Sequence, residues 1–466
     1  MGPEPSGPGR EQDPAGVAGP TGSNEPRSAR SGDTERGIPE VRPVTERARP
    51  AGLAPSLSRP ERRPELDFMR AFVVAGLVVF HSAVVFASGA SWFVKDPRPS
   101  LGFTVFLLWG SLWGMPLLFL VSGMGVRYAL RTRSGTGFAR ERLSRLLVPF
   151  AVGLAVLVPP MFYIGQLGKP GFHEPYWRFW LTFLNLPAIA WGLLPRGSWT
   201  SGGIEFDPAH LWFLYVLLLF SIALLPLFLF LRSTPGHRFI ERLGRFTDRH
   251  GVLVLSAAAI PLVLVEAGIG PDVNTGGWER LAYLFPLLYG YLIASDPRFE
   301  TAMRRQRRLT LACALVATAG LIVWAGLLRG QGLDVMTGSV RDWSALQGLA
   351  GWSWIVSILG FAGSVVDRRP RGSPVAVGSS SMNDQRWRRA ARYANEAVLP
   401  FYVLHEPVIV AAAWVIVRWN APIVGKYLAL VLASFVGTLA LYEGLVRRFR
   451  LARLLFGMKP LPLRRG

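Results

Sequence analysis

Apolar residues along the chain gather into blocks of about 20, separated by polar and basic stretches. A run of about 20 apolar residues is the length of an α-helix that crosses the hydrocarbon core of a bilayer. The pattern therefore predicts an all-α integral membrane protein with about ten transmembrane helices. The predicted spans are residues 67–87, 104–126, 146–166, 209–231, 251–269, 278–295, 309–328, 345–366, 397–417 and 424–446.

Lysine and arginine divide unevenly between the segments outside these spans. Segments rich in cations alternate with segments poor in them from one end of the chain to the other, and the two sets hold 40 and 8 cations. Cation-rich loops of membrane proteins stay in the cytoplasm. The alternation therefore predicts an even number of spans, both termini in the cytoplasm and a multi-pass protein of the plasma membrane.

The chain divides into three regions by composition. Residues 1–64 are rich in Pro, Gly and Arg and poor in aromatic residues, so we expect a disordered cytoplasmic tail rather than a signal peptide. Residues 65–450 form the predicted ten-helix membrane domain, and residues 451–466 form a basic cytoplasmic tail. Within the domain, the Arg-rich stretch 367–396 is predicted to be a mobile cytoplasmic linker.

The longest outer loop, residues 167–208, is rich in aromatic side chains, including Trp177 and Trp180. Aromatic residues of this kind occur at the level of the lipid headgroups. The loop is therefore either an interfacial or re-entrant helix that caps the outer face, or a packed aromatic loop.

Charge and cysteine content exclude several classes of function. The net charge of +21 could suggest a nucleic-acid partner, but most cations lie in loops where the positive-inside rule explains them, so no nucleic acid is predicted. The single cysteine, Cys313, excludes a disulfide framework within one chain. His405 and Glu406 begin a zinc-protease motif, but residue 409 is Ile, so no metal site is predicted.

Ionisable residues inside membrane spans are costly and are therefore candidates for function. The first span contains Asp67, Arg70 and His81. Arg70 and His81 lie eleven residues apart, which places them on one helix face about 16 Å apart along the axis. Asp67 lies one turn before Arg70 and can pair with it. Alternatively, Arg70 is an interfacial side chain and His81 a helix-contact residue.

Two further histidines are candidates. His405 lies in the middle of its span, where an unpaired polar ring is costly, and is a possible partner for His81 or for a substrate. His210 lies at the outer end of its span, where it either contacts substrate or is only interfacial. Glu266 and Glu443 are expected to pair with arginines.

Five motifs resemble the acyltransferase-3 family of bacterial membrane acyltransferases. The first helix of the family begins with a Leu-Asp-x-x-Arg pattern followed by a histidine, which Leu66 to Arg70 and His81 match. The other similar segments are Met115–Met124, Arg140–Phe150 with its Arg-x-x-Arg pair, His210–Tyr215, and Leu399–Pro407. The resemblance extends from residue 66 to residue 446, with the expected number of spans.

The resemblance implies that His81 is the catalytic base and that Arg70 is required with it, with Asp67 as a partner of Arg70. It also implies that Arg142 and Arg145 lie near the donor, acyl-coenzyme A, which is a co-substrate and not a permanently bound cofactor. A neutral imidazole can accept the proton of a hydroxyl that attacks a thioester, and paired arginines can bind phosphates. His210, Trp212, Tyr215 and His405 are weaker candidates for binding substrate.

The sequence thus predicts a membrane acyltransferase that moves an acyl group, acetyl or similar, from acyl-coenzyme A to a hydroxyl of a sugar, an envelope glycan or a glycosylated metabolite. The alternatives are a transporter or flippase without covalent chemistry, for which charges within broken helices are also typical, and a non-catalytic scaffold. The Arg70–His81 pair beside an arginine cluster favours the enzyme.

Overall fold

The computed structural model describes residues 64–89, 91–185, 199–201, 204–270, 272, 276–330, 341–367 and 382–458. Residues 62–466 form one compact unit. The predicted N-terminal tail lies outside the described residues except for Pro64, as do residues 459–466 of the predicted C-terminal tail. The side chain of Asp67 is also outside the description.

The first half of the unit is built from apolar helices and one hairpin. Its helices are α1 (Pro64–Val84), α2 (Leu101–Thr132), α3 (Gly135–Arg142), α4 (Val148–Val152), α5 (Val158–Leu167), α6 (Tyr176–Phe183), α7 (Trp212–Ala223), α8 (Leu225–Arg232) and α9 (Thr234–Arg249). Strands β1 (Trp199–Ser201) and β2 (Ile204–Phe206) pair antiparallel. π-helical turns Leu143–Leu147 and Gly153–Leu157 join α3, α4 and α5, and a 3₁₀ turn, Ala209–Leu211, precedes α7.

The second half contains the longest helices. They are α10 (Gly251–Ala257), α11 (Ile260–Ile269), α12 (Leu284–Ile293), α13 (Pro297–Gly330), α14 (Arg341–Asp367), α15 (Met382–Ile416), α16 (Ile423–Leu441) and α17 (Arg450–Leu455). A 3₁₀ turn, Arg280–Tyr283, precedes α12, and a π-helical turn, Tyr442–Val446, follows α16.

Seven helical segments of the described residues are long and apolar enough to cross a membrane: Leu101–Thr132, Gly135–Leu167, Gly251–Ile269, Pro297–Leu327, Asp342–Gly363, Arg389–Ile416 and Ile423–Val446. The helices Ala209–Ala223 and Leu225–Arg232 meet the same criterion only together and at an angle of 51°, so they form either one broken span or a re-entrant element. The bend lies just before Pro226, which cannot donate the backbone hydrogen bond of a continuous helix.

The remaining two predicted spans fall on shorter apolar helices, Phe68–Val84 and Arg280–Ile293. The multi-pass helical membrane architecture is therefore present, whereas the count of ten and the cytoplasmic termini stay predictions.

Two predictions about loops have different outcomes. Within the predicted outer loop, α6 buries Phe179 and Phe183 while Trp177 is exposed, so a helix packs there with one face against the protein. The linker prediction for 367–396 is wrong at its C-terminal end, because residues 382–396 form the first turns of α15. The stretch around Ala390 and Ala391 has high helix propensity, which the polar composition obscured. Residues 368–381 lie outside the described residues.

Helix α2 lies at the centre of the packing, between α1 and α12. Gly123 of α2 and Gly290 of α12 allow this approach: a Cβ atom on Gly123 would lie 1.9 Å from the Leu287 carbonyl oxygen, and one on Gly290 would lie 1.8 Å from that of Leu120. Small residues at such crossings bring helix backbones together in membrane proteins. On its other side, α2 runs antiparallel to α1, since Phe80 contacts Gly110 and Arg70 contacts Val121.

The loop after α1 is held by two cations, one partly buried and one buried. Lys95 donates to the carbonyl oxygens of Val84 and Ala87 at the end of α1. Partial burial lowers the pKa of Lys95 to about 8. The next residue, Asp96, forms a buried ion pair of 2.8 Å with Lys426 of α16. These contacts fix the loop that follows the C-terminal end of α1, which carries His81.

Candidate functional site

Helix α1 presents His81 in its last turn. The His81 side chain is 20% exposed, and the exposed part lines a cavity of about 1370 Å³. The ring of Phe80 contacts the His81 ring edge-on, with centroids 5.5 Å apart. One side of the His81 ring thus faces the cavity, where a substrate can contact it, and the other side contacts the protein.

Helix α15 contributes two neighbouring polar residues at the same depth. His405 and Glu406 are both buried, and Glu406 reaches the cavity wall. His405 Nδ1 lies 2.6 Å from the backbone oxygen of Tyr402. Because a carbonyl only accepts hydrogen bonds, Nδ1 carries the proton and Nε2 of a neutral ring is left as an acceptor.

The third element is the 3₁₀ turn before α7, which carries His210. Asp207 accepts a hydrogen bond of 2.6 Å from the backbone N–H of Ala209, and Ala209 adopts a positive φ of 47°. This tight turn points His210 into the protein. Its Nε2 lies 3.1 Å from the Val403 oxygen, and the Tyr402 hydroxyl donates to the His210 backbone oxygen. Two backbone contacts therefore attach His210 to α15.

Glu406 lies between the histidines. Its Oε2 is 3.0 Å from His210 Nδ1 and 3.7 Å from His81 Nδ1. The ring of His405 lies 5.2 Å from that of His81 and 5.1 Å from that of His210. Both contacts are within ion-pair distance, so the Glu406 carboxylate is positioned to interact with a protonated ring of either His210 or His81.

The same residues approach the spacing of a metal site. The ligand atoms of His81, His405 and Glu406 all lie within 4.8 Å of one another. Imidazole and carboxylate groups are ligands of Zn²⁺, so the cluster could hold such an ion. The sequence-based expectation of no metal stays a prediction.

The three predicted arginines form a separate cluster, away from the cavity. Arg70 donates to the Val121 oxygen at 3.1 Å, and Arg142 lies close enough to Arg70 and Arg145 for their charges to repel. Arg145 donates to the Gly457 oxygen at 3.2 Å and is half exposed. Glu141 offsets part of the charge by pairing with Arg145 and Arg133. A cluster of like charge favours an anionic ligand.

Arg70 and His81 therefore contact different neighbours, although both belong to α1. Arg70 contacts α2, whereas His81 contacts Glu406 of α15. The proposed pairing of Asp67 with Arg70 lies outside the described residues and stays a prediction.

The remaining candidates separate into two groups. Trp212 lines the cavity beside His210 and packs against Tyr283 at 5.1 Å. Tyr215 is not part of the cavity lining in the described chain; its ring packs against Phe150 and lies 6.0 Å from the Arg280 guanidinium. His405 is fully buried behind His81 and Glu406, so it contacts the site residues rather than the cavity.

The family model for the acyltransferase domain of the acyltransferase-3 family matches residues 63–443. The chain belongs to the acyltransferase-3 family. The resemblance carried by the five sequence motifs is thereby confirmed, and the matched domain is an acyltransferase domain.

Similar relatives of this acyltransferase-3 chain carry the name glucans biosynthesis protein C. Examples come from Escherichia coli O17:K52:H18 (strain UMN026 / ExPEC), O6:K15:H31 (strain 536 / UPEC) and O9:H4 (strain HS). Each is 24% identical over 281 residues, which is 56% of this chain and 66% of the relative. The match thus spans just under two thirds of these relatives. No solved structure matches the chain.

Sequence reasoning missed Glu406 in this acyltransferase-3 site. Glu406 belongs to a zinc-protease motif that Ile409 excludes and to the family-like segment Leu399–Pro407, but neither pattern assigns it a role. The signal that could have found it is its position inside a predicted span, where an ionised side chain needs a partner. The same signal did select His405, one residue earlier.

Proposed function

We propose that this protein is a membrane acyltransferase that moves an acyl group from acyl-coenzyme A to a hydroxyl of a sugar, an envelope glycan or a glycosylated metabolite. One observation supports this proposal most strongly: His81 lies at a cavity wall with the Glu406 carboxylate behind it. A histidine backed by a carboxylate is a general-base arrangement. The name of the glucan relatives supports a carbohydrate acceptor.

In the proposed reaction, a ring nitrogen of His81 accepts the proton of the acceptor hydroxyl. The hydroxyl oxygen bonds to the thioester carbonyl carbon, and the carbon–sulfur bond of the tetrahedral intermediate then breaks. The departing thiolate takes the proton back from His81, so that coenzyme A leaves as a thiol and the ring is neutral again. Glu406 stabilises the imidazolium that forms between these steps, since it is a buried carboxylate 3.7 Å from His81 Nδ1.

The donor is proposed to bind through its phosphates at the cluster of Arg70, Arg142 and Arg145. Arg145 is half exposed, and Arg142 lies beside it among charges of the same sign. Guanidinium groups bind phosphate oxygens in a bidentate way, and each such contact contributes about 1.5–3 kcal/mol.

The direct test uses the purified protein in lipid nanodiscs with acetyl-coenzyme A and a glucan preparation. We expect free thiol to be released together with an acetylated glycan that mass spectrometry detects. Absence of both products with every acyl-coenzyme A and acceptor supplied would contradict the proposal.

The donor site has its own test in the same assay. Replacing Arg142 and Arg145 together by Gln should raise the donor KM by at least about tenfold, because two phosphate contacts are lost. The matched control is Arg131→Gln with Arg140→Gln, which removes the same charge from the same predicted cytoplasmic segment. Equal KM values in the two double variants would exclude Arg142 and Arg145 as donor ligands.

A further inference from the structure

Two glycines lie opposite each other on α1 and α2. The helices run antiparallel, and Phe80 of α1 contacts Gly110 of α2. One helical turn further, toward the Arg70 end of α1, lie Gly76 on α1 and Gly114 on α2. Both glycines line the cavity that contains His81. We name the space between them the glycine slot.

The glycine slot is open, unlike the other glycine contacts of α2. A Cβ atom added to Gly76 or to Gly114 would meet nothing within 4 Å. A Cβ atom on Gly110 would lie 2.7 Å from the Phe80 ring. Close helix packing therefore explains Gly110 but not Gly76 or Gly114. These two residues keep a space free beside His81.

The α1 wall of the glycine slot is apolar. On α1 the cavity-lining residues from Phe72 to Phe80 carry no polar side-chain group, and on α2 the Ser111 hydroxyl is already bonded to the Leu108 oxygen, while the Trp113 indole N–H has no hydrogen-bond partner among the described residues. Against the α1 wall, a sugar or the amides of a pantetheine arm would lose hydrogen bonds to water without replacement. A hydrocarbon chain loses none, so it is the chemistry that this part of the cavity favours.

Beyond His81, the lining of the cavity changes from apolar to polar. Its other end is lined by polar side chains, among them Gln166, Lys169, Asp207 and Ser91. The residue at the apolar end, Phe72, is 62% exposed on the apolar helix Phe68–Val84, so we expect this end to face lipid. One cavity therefore has a polar end, His81 and Glu406 in the middle, and an apolar end expected to face lipid.

We propose that the glycine slot binds the hydrocarbon chain of an amphiphilic acceptor, whose sugar head lies at the polar end with a hydroxyl beside His81. This inference rests on the proposed function for the role of the sugar. The hydrocarbon chain itself could be supplied by the acceptor or by a long acyl group of the donor, and the test separates these two sources.

The test measures binding without turnover. The probe is an alkyl glucoside with a twelve-carbon chain that carries a diazirine, photolysed with the full-length protein in nanodiscs. We expect adducts in the peptides that contain Gly76 and Gly114. Gly76→Leu and Gly114→Leu fill the slot without a steric clash at Cβ and should lower the adduct yield by at least about tenfold.

The matched control is Gly425→Leu in α16. A Cβ atom there also meets nothing within 4 Å, but Gly425 does not line the cavity. The adduct yield of Gly425→Leu should equal that of the wild type. Equal yields in Gly76→Leu, Gly114→Leu and Gly425→Leu, or adducts only elsewhere, would overturn the proposal.

Competition identifies the source of the chain. If the acceptor supplies it, decanoyl-coenzyme A and acetyl-coenzyme A at equal concentration should have the same effect on the adducts. If decanoyl-coenzyme A lowers the adduct yield and acetyl-coenzyme A does not, the acceptor assignment is overturned, and the glycine slot binds the donor acyl chain instead. Because no reaction is measured, adducts at the glycines in a protein that transfers no acyl group would contradict only the proposed function.

Discussion

Backbone carbonyls determine which ring nitrogens are free at the site. Tyr402 and Val403 each accept from one histidine, so His405 Nε2 and His210 Nδ1 point toward Glu406 and its surroundings. The three histidines could be selected from the sequence because polar rings are rare inside spans. Their contacts could not, since His210 and His405 are far apart in the chain and meet only when the turn before α7 packs on α15.

Replacing Glu406 by Gln tests its role beside His81. The amide keeps the size of the side chain but removes the charge that stabilises an imidazolium. We expect kcat to fall roughly 10- to 100-fold, the loss expected for one hydrogen bond to a charged group. The comparison is acyl transfer in membranes, divided by protein level.

The matched control for Glu406 is Glu443→Gln. Glu443 pairs with a cation too, at 2.8 Å from Arg447, but it is more exposed than Glu406 and does not line the cavity. Exposed pairs contribute little, so turnover and protein level should stay near wild type. A Glu406→Gln variant as active as this control would rule out a role for the carboxylate in catalysis.

At the level of elements, the site depends on α1 being held against the helices at the C-terminal end of the unit. Asp96, just after α1, pairs with Lys426 of α16, and both side chains are buried. The sequence predicted a loop at Asp96 and a span at Lys426 but not this contact, since the two residues are 330 positions apart. Charge patterns predict which side of the membrane a loop occupies, and tertiary packing decides which loop meets which helix.

Lys426→Met should destabilise the protein, because it leaves the buried carboxylate of Asp96 without its partner. Loss of one member of a buried ion pair costs about 3–5 kcal/mol. We expect a clearly lower Tm in detergent, followed by differential scanning fluorimetry. The double variant Asp96→Asn with Lys426→Met should recover part of the loss, since no unpaired charge remains. A single variant with the Tm of the wild type would contradict a stabilising role for this pair.

Across the whole molecule, hydrophobic blocks predicted the positions of the apolar helices well. They did not predict which of these helices are bent or short. Seven predicted spans correspond to long helices, while a bend before Pro226 splits another and two fall on shorter helices. Block length indicates where a chain enters the membrane, but bends and short helices depend on neighbours that satisfy the backbone. The C-terminal part of the predicted linker, residues 382–396, was mispredicted for a related reason, since the polar first turns of α15 contain no apolar block to reveal a helix.

The chain as a whole combines an arginine cluster, a histidine and carboxylate site, and a cavity with one polar and one apolar end. The family domain covers residues 63–443 and therefore contains all three. Acyl transfer is proposed to depend on His81 as the general base.

The most direct measurement of this claim is acyl transfer by His81→Ala in membranes, divided by protein level. The His81 side chain partly faces the cavity, so its removal should leave folding and membrane level close to wild type. General-base catalysis typically contributes roughly 10²- to 10⁴-fold, and we expect a fall of this size in turnover. The control is His237→Ala, which removes an exposed histidine paired only with Glu241 in the described structure. Wild-type turnover by His81→Ala on the true acceptor would contradict the proposed mechanism.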